Sequence, residues 1–178
     1  MSGKLVAEQE VGFELLNEMV AYSETSISRR KFILHYFGEE FDSEKGEGAH
    51  MDDNMRFPKS KSEAGKELMI LIQTVSDTKQ KYKSKEIVKT LVGVKNALIL
   101  SHRTHEKPFF GIGKDKNPKF WMALLRQALI GGYFSKEIET YGIIKLTPKA
   151  LSFLDQPGSF LITADHDYQS KDPKLEEN

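Results

Sequence analysis

The sequence predicts a mainly α-helical chain of the α+β class, in which a helical hairpin precedes a larger unit that ends in a β-hairpin and a short helix. Three observations support this prediction. Apolar residues recur at helical spacing in several separate segments. Capping residues, glycines and prolines stand at the ends of these segments. Between residues 133 and 146 the pattern changes to short β-branched or alternating stretches.

The predicted helical hairpin, together with its linker, spans residues 5–57. Ser26 or Ser28 can cap its second helix, which ends at Gly38. Two such helices bury little core of their own, so we expect the hairpin to pack against a neighbouring unit. The apolar residues expected to face inward are Val11, Leu15, Leu16, Met19 and Val20 in the first helix and Ile33, Tyr36 and Phe37 in the second.

The larger unit is predicted over residues 62–156 and contains three helices before its β-hairpin. The first helix covers about residues 63–77. Ser84 is expected to cap the second helix, and Gly93 to terminate it. About twenty irregular residues follow. Asn117-Pro118 then opens the third helix, because a capping side chain followed by proline favours a helix start.

The order of elements in the larger unit predicts a winged helix. The third helix, in which we expect Trp121 to pack in the core, stops at Gly131-Gly132. Two strands follow over residues 133–139 and 143–146, and Thr147-Pro148 starts a last short helix. Three helices followed by a two-stranded wing define this helix-turn-helix variant. The polar tail over residues 165–178 is expected to be disordered.

Charge is segregated along the chain, although 26 basic and 26 acidic residues give a formal net charge of zero. Residues 1–56 hold 6 Lys/Arg against 12 Asp/Glu, a balance of −6. Residues 77–126 hold 12 against 4, a balance of +8. A basic segment of this size is typical of a protein that binds a polyanion, although a solvated lysine-rich surface produces the same pattern.

Several functional classes are excluded by composition. The chain has no cysteine, so disulfides and cysteine-bound metals are excluded. No apolar run is long enough to cross a bilayer, and we expect a cytoplasmic protein with no membrane partner. Residues 111–115 are too short for a Walker A loop and lack its hydroxyl residue, so this segment alone is expected neither to bind nor to hydrolyse ATP.

Three stretches of the chain carry recognisable motifs, namely residues 28–39 (SRRKFILHYFGE), 49–55 and 110–115. Together they resemble the C-terminal region, called RQC, of RecQ-type DNA helicases. The first resembles a segment in which these helicases have Cys-Arg-Arg, an apolar stretch and Tyr-Phe-Gly-Glu. Residues 49–55 (AHMDDNM) resemble the family's zinc knuckle, C-x-x-C-D-N-C. Residues 110–115 (FGIGKD), with Trp121 and Arg126-Gln127 after them, resemble its Gly-x-Gly-Lys-Asp loop and third winged-helix helix. The resemblance runs from about residue 8 to residue 154.

The resemblance places the family's four zinc ligands at Ser28, Ala49, Asp52 and Met55. Only Asp52 is a residue type that commonly binds zinc, whereas a structural zinc site needs four ligands. We therefore expect no zinc and no other cofactor in this segment. Packing and hydrogen bonds would then have to replace the folding energy that a structural metal supplies.

The resemblance implies that the intact protein is a bacterial, nucleoid-associated ATP-dependent helicase that moves 3′ to 5′ on DNA in repair and recombination. Its motor domains, which would take ATP and magnesium, are expected partners of this segment. The segment itself is expected to bind duplex or forked DNA largely without regard to base sequence. The expected DNA contacts are Lys95, Asn96, Lys114, Lys116, Lys119, Arg126 and Tyr141.

Two local features support the lysine assignments. Lys116 and Lys119 lie at the start of the third helix, where helix N-termini attract phosphate. The glycines of the loop at residues 111–113 are expected to let backbone amides approach a phosphate, although a plain turn remains the alternative. Lys95 and Asn96 resemble a second phosphate-contacting patch of the family.

Tyr141 is assigned to the tip of the wing. In RecQ relatives an aromatic residue at or near this tip stacks on the terminal base pair and separates the strands, and the resemblance assigns that role to Tyr141. Stacking of a base on an aromatic ring is worth about 1–3 kcal/mol, which is comparable with about 1.4 kcal/mol for one DNA stacking step. A tyrosine at the tip would therefore offset the opening of one base pair.

Two alternatives remain open from the sequence. A stand-alone winged-helix transcription regulator would need exposed base-reading residues on its third helix, and Arg126 and Gln127 are the candidates. A protein-interaction module would use the acidic hairpin or the winged helix as a docking surface, but the basic segment does not favour it.

Overall fold

The computed structural model describes residues 2–137, 139–140 and 142–166, and for residues 2–7 it describes the backbone alone. It confirms the α+β class. The elements in chain order are α1 Ser2–Glu24, α2 Arg29–Tyr36, α3 Asp53–Arg56, β1 Lys61–Glu63, α4 Gly65–Asp77, α5 Ser84–Val92, α6 Ala97–Ser101, α7 Pro118–Ile130, β2 Phe134–Glu137, β3 Ile143–Leu146, α8 Pro148–Asp155 and β4 Leu161–Thr163.

The first unit consists of α1 and α2, with the short α3 holding their connection. Ser28 caps α2 as predicted, because its Oγ accepts a hydrogen bond from the Lys31 N–H at 3.3 Å. Asn54 of α3 is buried, and its side-chain amide donates to the carbonyls of Thr25 and Ile27 at 2.8 Å each. The turn between α1 and α2 is thus fixed by an amide that comes from more than twenty residues further along the chain.

The apolar faces of the first unit do not point where the periodicity suggested. In α2 the buried side chain is Phe32, which meets the Tyr22 ring of α1 at 6.0 Å between centroids. Tyr36 and Phe37 are 51% and 72% exposed. The residues expected to face inward are therefore exposed, namely Val11, Leu15, Leu16, Met19, Val20, Ile33, Tyr36 and Phe37. The two helices meet only near their connection, so most of both apolar stripes remains open.

The second unit packs α4, α5 and α7 around one core, with α8 and the wing closing it. Trp121 is fully buried, as predicted, and its Nε1–H donates to the Gly113 carbonyl at 2.7 Å. Leu68, Ile72, Leu91 and Leu124 from the three helices surround it in the same fully buried cluster. These elements, followed by the β2–β3 hairpin, make the winged helix that the element order predicted.

The helix ends of the second unit largely follow the sequence signals. Asn117 caps α7, accepting from the Phe120 N–H at 2.8 Å, and Gly93 ends α5 with a φ of +78°. Ser84 is instead the first residue of α5, and Lys83 holds the cap position without a side-chain hydrogen bond. The stretch predicted to be irregular contains α6 and a 3₁₀ turn at Thr104–Glu106.

Two small antiparallel sheets complete the fold. The wing pairs β2 with β3 in a register that sets Phe134 opposite Leu146. The second sheet pairs β1 with β4, with Lys61 opposite Thr163, and the sequence did not predict it. Each of these strands has only three residues, and its partner lies about a hundred residues away, so neither carries a local strand signal.

The predicted tail is described only at its first two residues. Asp165 pairs with Arg126, and the His166 imidazole Nε2 lies 2.7 Å from the Asn54 side-chain oxygen. The remaining residues, 167–178, lie outside the described residues. No helix in the described ranges is long and apolar enough to cross a membrane.

Candidate nucleic-acid interface

Three lysines surround the start of α7. Lys114 and Lys119 are exposed, and Lys116 is half-buried. The ammonium of Lys116 lies 3.9 Å from a Glu67 carboxylate oxygen and 5.5 Å from the centroid of the Phe120 ring. The helix N-terminus adds its own partial positive charge, because the first-turn N–H groups are not used within the helix. These lysines and the first turn of α7 form a basic surface.

The glycine loop before α7 does not present its amides to solvent as we had expected. The Gly111 and Gly113 N–H groups donate to the carbonyls of Thr90 and Leu91 at the end of α5, at 2.8 Å each. The Lys114 N–H donates to the Gly111 carbonyl. The glycines serve packing instead, since Gly111 lies against Gly93 and Gly113 against the Trp121 ring. The loop is a joint between two helices, and its contribution to a basic surface is the Lys114 side chain.

Lys95 and Asn96 follow α5 directly, as the sequence indicated. Lys95 is exposed. The Asn96 side chain is already engaged, because its Oδ1 accepts from the Ile99 N–H at 2.9 Å and so caps α6. The structure therefore gives Asn96 a helix-capping role and leaves Lys95 as the cation of this patch.

A groove between α5, α7 and β4 adds two lysines, Lys85 and Lys89, to the basic residues of this region. It encloses about 680 Å³ and has Lys85, Lys89 and Lys119 among its lining residues. Apolar side chains also line it, including Val88 and Met122. Lys85 and Lys89 are four residues apart on α5 and therefore share one helix face, which is the signal that could have identified them.

Arg126 and Gln127, the candidate base-reading residues of α7, are turned to the C-terminal strand. The Arg126 guanidinium lies 2.9 Å from Asp165 and 3.6 Å from Glu24. The Gln127 side chain donates to the Thr163 carbonyl at 2.6 Å and accepts from the Thr163 N–H at 3.0 Å. Both side chains are thus engaged in holding β4, which argues against a helix that reads bases.

Burial determines the electrostatics of this contact. It raises the pKa of the Asp165 carboxyl above its usual value. The Glu24 carboxylate also raises that pKa, while the Arg126 guanidinium lowers it. Because the upward influences prevail, the ionised pair contributes less stability than its 2.9 Å separation suggests.

The wing is described except for two positions. Tyr141, the predicted strand-separating residue, lies outside the described residues, and so does position 138. On the described part, Lys136 of β2 pairs with Glu18 of α1. Lys83, which bridges to β3 through its backbone, lies 3.9 Å from Glu14 of α1. The first unit therefore touches the wing through acidic side chains.

The four positions of the expected zinc ligands lie around the α1–α2 connection and α3. The Ser28 Oγ donates to an Asp52 carboxylate oxygen at 2.9 Å, and Asp52 caps α3. Ala49 and Met55 are half-buried, and neither offers a nitrogen or oxygen side-chain donor. Across the described ranges, no group of three or more His, Cys, Asp or Glu side chains is placed to hold a metal ion.

Comparison with known proteins decides the family. Residues 58–171, more than half of the chain, match the family model described as the RQC domain. The chain belongs to the RQC family. Residues 2–50 match a second model, described as RecQ zinc-binding, so the first unit is also that of a RecQ C-terminal region.

Curated relatives of this RQC chain carry the printed name ATP-dependent DNA helicase RecQ. The protein from Haemophilus influenzae is 24% identical over 144 residues, which cover 80% of this chain and 23% of the relative. The protein from Pasteurella multocida is 23% identical over 139 residues, which cover 76% of this chain and 21% of the relative. The chain therefore spans less than a quarter of the length of these relatives.

The match over residues 2–50 corrects one expectation. We expected no zinc in this segment, and that prediction is wrong on this comparison, because the matching family is described as zinc-binding. The described side chains at the four ligand positions do not themselves provide a zinc ligand set.

Proposed function

We propose that this RQC chain binds duplex or forked DNA through its phosphates, as the C-terminal part of an ATP-dependent DNA helicase that moves 3′ to 5′ in DNA repair and recombination. The DNA-contacting residues in this proposal are Lys95, Lys114, Lys116, Lys119 and Tyr141, joined by Lys85 and Lys89 of the groove. Asn96 and Arg126 are assigned to local packing instead, because their side chains already have partners in the fold.

One observation carries the proposal. The start of α7 offers lysines, while Arg126 and Gln127 on the same helix hold the C-terminal strand. Phosphate contacts fix the position of a duplex without reading its sequence, whereas sequence is read by side chains that reach base edges. On α7 the lysines stand at the exposed N-terminal end, whereas the side chains that could read bases are bonded to the C-terminal strand and the residue after it. Such an arrangement favours sequence-independent binding over the transcription-regulator alternative.

The wing supplies the strand-separating step of the proposal. Tyr141, which the sequence assigns to the tip, would stack on the terminal base pair of a fork, and stacking of about 1–3 kcal/mol is enough to offset the opening of one pair. Tyr141→Ala should weaken binding to forks more than to blunt duplexes. Tyr141→Phe keeps the ring and should bind forks as the wild type does.

The motor domains would belong to the same parent chain and would bind ATP and magnesium. The open apolar side of α1 and α2 supports an intramolecular partner of this kind. Leu15 and Met19 are 49% and 70% exposed and lie four residues apart on one face of α1, and contiguous exposed apolar residues mark an interaction surface. The length of the relatives, of which this chain covers less than a quarter, leaves room for such domains.

Fluorescence anisotropy with a labelled forked duplex over a salt series tests the DNA assignment. The logarithm of the association constant should fall linearly with the logarithm of salt concentration, by about 0.9 per phosphate neutralised. Lys114→Ala/Lys119→Ala should bind more weakly and flatten the slope by roughly 1.8, because two phosphate contacts are lost. Changing the base sequence should leave the affinity unchanged.

A matched variant separates this effect from a change in net charge. Lys45→Ala/Arg56→Ala removes two exposed positive charges from the first unit and should keep the wild-type slope. Equal losses of DNA affinity in the two double variants would mean that net charge, and not the basic surface around α7, determines binding. No binding by the wild-type chain at low salt would refute the proposal.

A second candidate function is a protein-interaction module, and the groove favours it. Its apolar lining with lysines at the edge suits an apolar segment that carries acidic side chains. This candidate becomes the leading one if DNA binding fails at low salt. Lys85→Ala/Lys89→Ala, which leaves Lys114 intact, would then be the variant to examine in protein-binding assays.

A further inference from the structure

The acidic face of α1 lies against the wing and the chain segment beside it. The Glu18 carboxylate pairs with Lys136 of β2, and both side chains are partly exposed to solvent, by 25% and 34% of their surface. The Glu14 carboxylate lies 3.9 Å from the Lys83 ammonium. A second Glu14 oxygen would be 3.8 Å from a β-carbon added to Gly142, which places this carboxylate close to the wing's turn.

The wing does not need these ion pairs to hold its position. The Ile144 N–H donates to the Tyr82 carbonyl at 3.0 Å, and Lys83 forms a backbone bridge to Ile143. The Leu146 N–H donates to the Gln80 side-chain oxygen at 2.9 Å. Ion pairs exposed to this degree contribute little stability. Their main physical consequence is therefore that lysines on the wing side are neutralised by carboxylates of the same chain.

We infer that Glu14 and Glu18 act as internal competitors of DNA phosphate, so that the face of α1 restrains DNA binding by the wing. This inference rests on the proposed function, since it concerns the regulation of the same DNA-binding unit. A phosphate that approaches Lys136 or Lys83 from the α1 side must displace a carboxylate and pass a second negative charge near Gly142. Movement of α1 away from the wing would release Lys136 and take the Glu14 carboxylate away from Lys83.

The test compares two glutamine pairs on one helix. Glu14→Gln/Glu18→Gln removes the competing charges, and Glu8→Gln/Glu10→Gln removes two exposed charges earlier on the same helix. Both variants gain the same net charge. With Lys136 released to phosphate, the first variant should bind a forked duplex on the order of tenfold more tightly and steepen the salt slope by about 0.9. The second should show only a small general gain.

A third variant assigns the effect to the wing lysine. Glu18→Gln alone should gain several-fold in affinity, and Glu18→Gln/Lys136→Gln should lose that gain. Melting curves of all variants check that the fold is retained.

The outcomes separate the inference from the function on which it rests. Equal gains in the two glutamine pairs, or weaker binding by Glu14→Gln/Glu18→Gln, would overturn the inference while leaving DNA binding intact. A wild-type chain that binds no DNA would overturn the proposed function, and the inference with it.

Discussion

Gly113→Ala tests the joint between α5 and α7 that sets the basic surface in place. A β-carbon at Gly113 would lie 2.5 Å from Cζ2 and 2.7 Å from Cε2 of the Trp121 ring. Trp121 is fully buried and held by its own hydrogen bond to the Gly113 carbonyl, so the ring cannot move aside without disturbing the core. Gly113 has no positive φ, so backbone strain plays no part and the expected loss comes from the contact alone.

The magnitude follows from two contributions. Forcing an extra carbon into a packed core destabilises a protein by about 1–3 kcal/mol. Weakening the indole hydrogen bond adds about 1 kcal/mol, because a buried N–H loses its partner. We expect a loss of about 3 kcal/mol in the free energy of unfolding of the second unit. For a unit of about a hundred residues that corresponds to a Tm lower by roughly 12–24 °C.

Urea unfolding followed by tryptophan fluorescence measures this effect, since Trp121 is the only tryptophan and reports on the second unit. Circular dichroism at the same urea concentrations gives an independent midpoint, because the substitution beside Trp121 can change its fluorescence without changing the stability. Gly158→Ala is the matched control, because an added β-carbon there meets nothing within 4 Å, and its effect should stay within about 0.5 kcal/mol. Equal midpoints for the two variants would refute the reasoning.

Two further predictions concern α7 and the strand that it holds. Asn117→Ala should lower the free energy of unfolding by about 1 kcal/mol because the α7 cap is lost, whereas Asn117→Asp should keep the cap and the wild-type stability. Urea melts monitored by fluorescence measure both variants. An equal loss of stability in the two would mean that capping is not the cause. Burial raises the pKa of Asp165, so the folded chain binds this proton more tightly than the unfolded chain, and ionisation of Asp165 lowers stability as pH rises from about 4 through the raised pKa. The stability of the wild type minus that of Asp165→Asn should therefore fall over this pH range in urea melts, and a rise would mean that the Arg126 ion pair outweighs burial.

Helix positions in the second unit could be read from the sequence because their signals are local. Asn117-Pro118 fixed the start of α7, and Gly93 marked the end of α5. A capping side chain bonds to a backbone amide two or three residues away, and a glycine adopts its positive φ without help from distant residues. The wing could be predicted for the same reason, since its two strands are neighbours in the sequence.

The candidate site was predicted only in part. Its lysines could be found from charge and from their place around α7, but the side chains already engaged within the fold could not. Asn96 caps α6, which lies in a stretch that the sequence predicts to be irregular. Arg126 is paired with Asp165, a residue that lies almost forty positions away.

The sequence by itself therefore determined the class, the longer helices, the wing and the resemblance to RecQ C-terminal regions, but not the short helices α3 and α6. Only the tertiary structure decided which faces are buried and which polar groups are occupied. Periodicity gives a stripe of apolar residues, but α2 buries Phe32 and exposes Phe37 because α1 meets it only near their connection. The β1–β4 sheet and the amides of Gly111 and Gly113 likewise depend on partners distant in sequence. Burial and hydrogen-bond occupancy are properties of pairs of groups, and the sequence does not state which distant pairs meet.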